Sequence, residues 1–187
     1  SHGLPAPEVL YVGEREEGKS LLVRKAEGIL VRDFWEKNGF SLDSFLRSLT
    51  YFGGVIAKCH QIKFNAFGNV NQDGINPVFS DYSQRLRQLT SRHFQGEDKN
   101  TLGGYFSETE MDEISQFFGS AIRGMEGRFT VDKTPPCLVI YDLHSRNFFV
   151  DPNTGEVTGL FDLEFGQAAH PNLEIACVGL QLFGFFA

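Results

Sequence analysis

Apolar side chains recur at Leu42, Phe45, Leu46, Leu49, Phe52, Ile56 and Cys59. This three-and-four spacing predicts a buried amphipathic helix, with Ser41 as its N-cap. Residues Leu4 to Val31 instead alternate short apolar runs with turns, which predicts strands. Ser80 to Phe94 is a second helical stretch, and its Arg85, Arg87 and Arg92 read as a solvated basic face. Ser107-Glu-Thr-Glu opens a third helix with a capping box, running from Glu108 to about Gly127. Phe64 to Pro77, rich in Asn and Gly, predicts a loop, and Gln95 to Gly104 a polar connector. The last apolar run, Gln181 to Ala187, reads as the middle of a helix whose Phe183, Phe185 and Phe186 need cover.

The pattern changes in CLVIYDLHSRNFFVD, where apolar runs shorten to strand length. Cys137 to Tyr141 leads into a short polar loop, and Phe148 to Val150 follows. Asp151-Pro-Asn-Thr-Gly155 then supplies the preset φ and the positive-φ site of a tight reversal before Val157 to Phe161. A hairpin folded about Asn153 sets Asn147 near Gly159 and leaves Asp162 beside the loop that carries Asp142. Two acids and an amide brought together suit phosphoryl transfer. Asp142 is the candidate base, and Asn147 with Asp162 are candidate magnesium ligands. Each residue alone commonly ends a strand, caps a turn or starts a loop. The combination at this spacing is what argues for chemistry.

A second motif competes. Gly13-Glu-Arg-Glu-Glu-Gly-Lys19-Ser20 satisfies the phosphate-loop pattern G-x-x-x-x-G-K-[ST]. Three of its variable positions are Glu, which set negative charge against a polyphosphate. Leu21-Leu22-Val23 follows where that loop requires a long helix, so the segment reads as a charged hairpin turn between strands.

From Leu138 to Ala176 the chain resembles the aminoglycoside phosphotransferase and choline kinase group, whose pattern is His-Gly-Asp-Leu-His-x-x-Asn, a hairpin, then Asp-x-Glu. Asp142, Leu143, His144 and Asn147 match, as do Asp162 and Glu164; Glu174 stands where an Asp is usual. LPAPEVLYVGE, LLVRKAEG and the helix end at Ile56 to His60 extend the resemblance toward the N-terminus. The resemblance implies an α+β, protein-kinase-like fold. Residues 1–31 would be the remainder of a small lobe and hinge, and 32–187 a helical large lobe. It implies ATP and Mg²⁺ as cofactors and a small hydroxylated acceptor, such as an aminoglycoside or choline. Backbone groups at Arg24, Lys25 and Ala26 would meet adenine; Asn147, Asp162 and Glu164 would hold metal; Asp142 and His144 would form the catalytic pair. In the family the histidine position mainly supports the loop through hydrogen bonds.

Arg146 could reach a phosphate or serve as surface charge. His60 reads as a packed, hydrogen-bonded histidine, and His170 as a turn residue. Ile140 and Tyr141 replace the family's His and Gly. Upstream of Leu4 the sequence leaves no room for a glycine-rich strand pair, its lysine, or the helix whose acid pairs with it, so a fragment is expected. A kinase-like binding module without catalysis is the alternative reading.

Composition sets wider limits. The 187 residues are 41% hydrophobic and 22% charged, ordinary for a globular chain. Nineteen Phe imply an aromatic core, with Phe117, Phe118, Phe148, Phe149 and Phe161 as expected members. A net charge of −7 argues against nucleic-acid binding and suits a cationic acceptor. Cys59, Cys137 and Cys177 lack metal-ligand spacing and read as free buried thiols, which points to a reducing cytoplasm. The sequence contains neither a signal peptide nor a membrane-length apolar run.

Overall fold

The computed structural model describes residues 3–15, 18–39, 41–71, 73–95, 105–163 and 166–183. The chain divides into two compact units. One comprises Ser1–Ile62, Val139–Gly166 and Asn172–Ala187; the other comprises Lys63–Leu138 and Gln167–Pro171.

In the first unit, β1 (Val9–Arg15) and β2 (Gly18–Val23) form an antiparallel ribbon. Gly18, Lys19 and Ser20 therefore lie in a strand, and no helix follows them before Val31. The phosphate-loop reading fails on this conformation, because the anion site of such a loop is the N-terminus of the next helix. β3 (Ile29–Leu30) pairs with β7 (Phe148–Val150), which pairs with β8 (Val157–Leu160). Gly28, at φ 99°, enters this sheet where a Cβ would meet Val150 O at 2.2 Å. Only glycine fits there.

Two helices cover the sheet residues. α1 (Val31–Asn38) has Val31, Phe34 and Trp35 on one buried face, a short i, i+3, i+4 pattern that the longer periodicities obscured. α2 (Leu42–Cys59) begins at Ser41 as expected, through a capping box in which Ser44 replaces the usual Glu. Its buried face is Ser48, Phe52, Val55 and Cys59. Leu42 and Leu46, expected inside, are 69% and 51% exposed. The reason is contact geometry: Phe52 stacks on Phe148 at 4.4 Å, and the Trp35 indole N–H donates to Ser48 Oγ at 3.2 Å. These contacts fix the helix rotation, and the first turn faces away.

A sheet in the order β5-β4-β9-β6 consists of β4 (Phe67–Asn71), β5 (Gly74–Phe79), β9 (Gly166–Ala169) and β6 (Cys137–Ile140), all in the second unit except Gly166, Val139 and Ile140. The loop expected over Phe64 to Pro77 is thus a hairpin. Asn and Gly disguised it, because β4 gains its ladder from β9, about a hundred residues downstream by the sequence numbers. α3 (Tyr82–Gln95) and α4 (Glu108–Met125) follow, the latter with the Ser107–Glu110 capping box. Residues 96–104 of the expected connector lie outside the described residues. Phe117 and Phe118 are 69% and 42% exposed, contrary to expectation, and stack on each other rather than in a core. Phe148 is buried, while Phe149 and Phe161 are half-buried. His170 is also more than a turn residue: it is buried against Phe129 and Tyr82, and burial lowers its pKa.

Asp81 ties this unit together. Its Oδ1 accepts from Ser83 N at 2.8 Å at the start of α3, and Oδ2 accepts from Gly127 N at 2.7 Å beyond α4. Burial opposes its charge, yet the amides of Gly127 and Ser83 outweigh that and hold its pKa below the ordinary value. Asp81→Ala is expected to cost about 1–2 kcal/mol at neutral pH, as a lost helix cap does. Because the folded pKa is depressed, the contribution is present above the ordinary carboxylate range and fades as pH falls through the folded value. Urea unfolding at pH 7 and pH 3 checks both statements; an equal cost at the two pH values would contradict the second.

The three cysteines are free, two of them buried. Among the described residues, no helix is long and apolar enough to cross a membrane. α5 (Pro171–Phe183) ends the described chain, so the expected apolar positions Phe185 and Phe186 lie outside it.

Candidate active site

The loop between β6 and β7 is anchored at both ends within the first unit. At its start, Ile140 N donates to Glu174 Oε1 at 2.9 Å, and Glu174 Oε2 lies 2.7 Å from His60 Nε2. Glu174 is 0% exposed, and desolvation raises its pKa to about 7, against the smaller opposing effect of the Ile140 amide. The buried carboxyl thus joins α5, α2 and the loop entrance. His60 is the hydrogen-bonded histidine expected. Glu174 had been singled out only as a departure from an aspartate, and its reach to Ile140 spans 34 residues, beyond any local pattern. Burial and then the charge of Glu174 push the Cys177 thiol up, which makes it a poor nucleophile.

Inside the loop, Asn147 N donates to His144 O at 3.0 Å and Arg146 N to His144 Nδ1 at 3.1 Å. Because Nδ1 accepts, the imidazole proton sits on Nε2, which faces Asp142 Oδ2 at 3.5 Å. Ser145 O accepts from Arg32 N at 3.4 Å, so the loop also closes onto the first turn of α1. Asn147 Nδ2 donates to Asp142 O at 3.0 Å. This bond joins two of the three predicted residues and fixes the amide orientation. Asn147 Oδ1 accepts no hydrogen bond among the described residues.

The third residue arrives by the hairpin. Its register is Phe148↔Leu160 and Phe149↔Gly159, so Asn147 does not oppose Gly159 as expected. Asp151 Oδ1 accepts from Asn153 N and Thr154 N, Gly155 takes φ 74°, and the ladder shifts at Val150. The turn is therefore tighter on one side, and the register moves by two residues. Phe161 N donates to Asn147 O at 2.9 Å, which sets Asp162 directly past the residue bonded to Asn147. Asp162 is the one non-glycine residue with positive φ, at 57°, among the described residues. Such a conformation costs about 1–3 kcal/mol in a non-glycine residue and is held where surroundings over-determine it. The Asp162 side chain is exposed, with no hydrogen bond or ion pair among the described residues.

An oxygen-only pair of amide and carboxylate fits Mg²⁺, which keeps several waters and takes one or two protein oxygens besides phosphate. Glu164 lies outside the described residues. Among those described, no three His, Cys, Asp or Glu side chains cluster to hold an ion.

Beside β8 lies a cavity of about 430 Å³, lined by Ala6, Arg24, Lys25, Ala26, Thr158 and Gly159 among others. Arg24 is engaged with Glu8, through N→O at 2.8 Å and Nε–Oε2 at 2.6 Å. Glu27 O accepts from Thr158 Oγ1 at 2.6 Å. Between them, the backbone groups of Lys25 and Ala26 make no hydrogen bond among the described residues. A free amide edge at a cavity is what a planar heterocycle needs.

No curated protein matches the chain in sequence. In structure it is similar to the aminoglycoside phosphotransferase APH(3'')-Id from Streptomyces rimosus in complex with ADP and streptomycin, at 16% identity and TM-score 0.60, covering 100% of this chain and 63% of that one. A GDP complex of an aminoglycoside 2'-phosphotransferase-IIIa variant aligns at 14% identity and TM-score 0.62, over 96% and 55% of the two chains. An aminoglycoside-3'-phosphotransferase of type VIII gives 19% and 0.56, over 96% and 59%. The chain thus spans less than two thirds of each of these structures. They share the α+β fold expected from the sequence. The profile described as "Phosphotransferase enzyme family" matches residues 1–184, and on that match the chain belongs to this family.

Proposed function

We propose that the protein transfers the γ-phosphoryl group of ATP to a hydroxyl of a small molecule, such as an aminoglycoside, choline or a similar alcohol. The observation that carries the reading is the Phe161 N–Asn147 O bond, which brings Asp162 to the loop of Asp142. Residues 1–31 then serve as the remainder of a small lobe with its hinge, and 32–187 as the large lobe. Lys25 and Ala26 offer their free backbone groups to adenine, with Arg24 held aside by Glu8.

Asp142 orients the acceptor hydroxyl and receives its proton as the oxygen bonds to the γ-phosphorus and the bond from that phosphorus to the β–γ bridging oxygen breaks, releasing ADP. His144, with Nε2 3.5 Å from Oδ2, holds that carboxylate in place rather than taking the proton itself. Asn147 Oδ1 and Asp162 would hold magnesium, with Glu164 as a further candidate. Bound there with the nucleotide, the ion supplies neutralisation of the phosphate oxygens. The strained backbone of Asp162 suits a carboxylate that must be presented outward.

Nucleotide binding tests this most directly. Mg²⁺-ATP at about a hundred times its Kd should stabilise the intact protein by about 2.7 kcal/mol, read as a raised melting temperature. Asn147→Ala and Asp162→Ala should each erase the magnesium dependence of that rise. A wild-type protein that ignores Mg²⁺-ATP would leave the kinase-like binding module as the better account.

A further inference from the structure

The catalytic loop carries one charged side chain to which the proposed reaction gives no task. Burial alternates along it: Leu143, Ser145 and Asn147 are buried, whereas Asp142 and His144 are half-open and Arg146 is exposed. Asp142, His144 and Arg146 are therefore the charged or titratable side chains of the loop that reach solvent, while Asn147 is buried. The loop is turned rather than extended, since Asn147 N and Arg146 N both close onto His144. Arg146 is thereby fixed in its backbone.

Its guanidinium is another matter. Among the described residues it meets no acid within ion-pair distance and makes no hydrogen bond. Other arginines of this unit are paired, Arg24 with Glu8, Arg32 with Asp33 and Arg47 with Asp43. An unpaired guanidinium presents planar, bidentate donors suited to carboxylate or phosphate. On the other side of Asp142, Tyr141 is 41% exposed. The Arg146 amide bonds Nδ1 of the imidazole whose Nε2 approaches Asp142, so an alcohol that presents its hydroxyl to Asp142 from solvent comes within reach of this long cationic side chain.

We infer that Arg146 is a specificity residue: it selects acceptors that carry an anionic group, a carboxylate or phosphate, close to the reacting hydroxyl. The inference rests on the phosphotransferase reading but departs from its acceptor examples: in place of an aminoglycoside or choline, and of the cationic acceptor suggested by the net charge of −7, it sets an anionic alcohol. Charges more than about 8 Å away are largely screened at physiological salt, so the residue beside the acceptor outweighs the chain total.

The test is ADP release by the intact protein with Mg²⁺-ATP and four probes: glycerate, glycerol 3-phosphate, glycerol and ethanolamine, with streptomycin added as a polycation. Glycerate or glycerol 3-phosphate should exceed glycerol by about ten- to a hundredfold in kcat/KM, the range of one charge-assisted contact. Which of the two wins identifies the anion. Arg146→Gln should remove the preference, and Arg146→Glu should reverse it toward ethanolamine, both with the KM for ATP unchanged. A wild-type preference for ethanolamine or streptomycin overturns the inference. So does an unaltered rank order in Arg146→Glu, a raised KM for ATP in the variants, or a panel in which neither anionic probe reacts. If Mg²⁺-ATP binds in any of these cases, the phosphotransferase reading survives. If the wild-type protein binds no Mg²⁺-ATP, both fall.

Discussion

On the proposed mechanism, Asp142→Ala is expected to lower phosphoryl transfer by about 10²–10⁴-fold, the usual loss when a positioned general base is removed. The fold should survive the change. Asn147 is held by the Asp142 backbone carbonyl, not by its carboxylate, so the 3.0 Å bond persists in the alanine variant. The side chain gives up its 3.5 Å approach to His144, an interaction between half-open groups worth at most about 1 kcal/mol. Steady-state rates with Mg²⁺-ATP and a reacting alcohol should therefore fall in kcat, with the KM for ATP and the melting temperature nearly unchanged. Turnover within twofold of the wild type would remove Asp142 from the mechanism. A collapse in melting temperature would instead mark it as structural.

Glu174 governs the second large effect. Glu174→Ala leaves the buried Ile140 N–H without its acceptor and opens a cavity beside His60, at a cost of about 2–4 kcal/mol. Glu174→Gln keeps a carbonyl for Ile140 and an amide for His60, so it should cost far less. The two variants also separate charge from shape. Burial raises the Glu174 pKa from 4.5 to about 7 in the folded protein. A raised folded pKa means that its contribution is full below about pH 4.5 and is lost as pH climbs through about 7. Relative to Glu174→Gln, the wild-type protein should lose on the order of 2–3 kcal/mol across that window, less whatever His60 offsets by taking the proton. Denaturant midpoints at pH 4.5, 6 and 8 measure the difference. Parallel pH profiles for the two proteins would show that Glu174 does not ionise in this range.

Much of this architecture is local and could be read along the chain. Ser41 and Ser107 start their helices because a hydroxyl satisfies amides within three residues, and both capping boxes form. The hairpin after Asn147 follows from Asp-Pro-Asn-Thr-Gly, whose Asp151 carboxylate collects two amides of its own turn. The strand character of Gly18 to Val23 follows from the apolar run that replaces the helix of a phosphate loop. The meeting of Asp142 and Asn147 is similarly short-range, spanning five residues.

Other features depended on partners that no local window contains. Phe117 and Phe118 have the composition of core residues, yet exposure is decided by the rotation of α4, whose own buried residues are Met111 and Ile122. The β4–β5 hairpin is poor in strand formers and exists because β9 completes its ladder. One residue of the two-residue change of hairpin register comes from the irregularity between Phe149 and Val150, where β7 also pairs with β3, and the other from the turn itself. The clearest division runs through the site itself. Sequence alone determined which residues are the candidates for the chemistry, because residue type and short spacing set what a turn can bring together. Tertiary structure decided how firmly they are held, because the Glu174 anchor and the Asp162 backbone are fixed by contacts made only once distant segments pack.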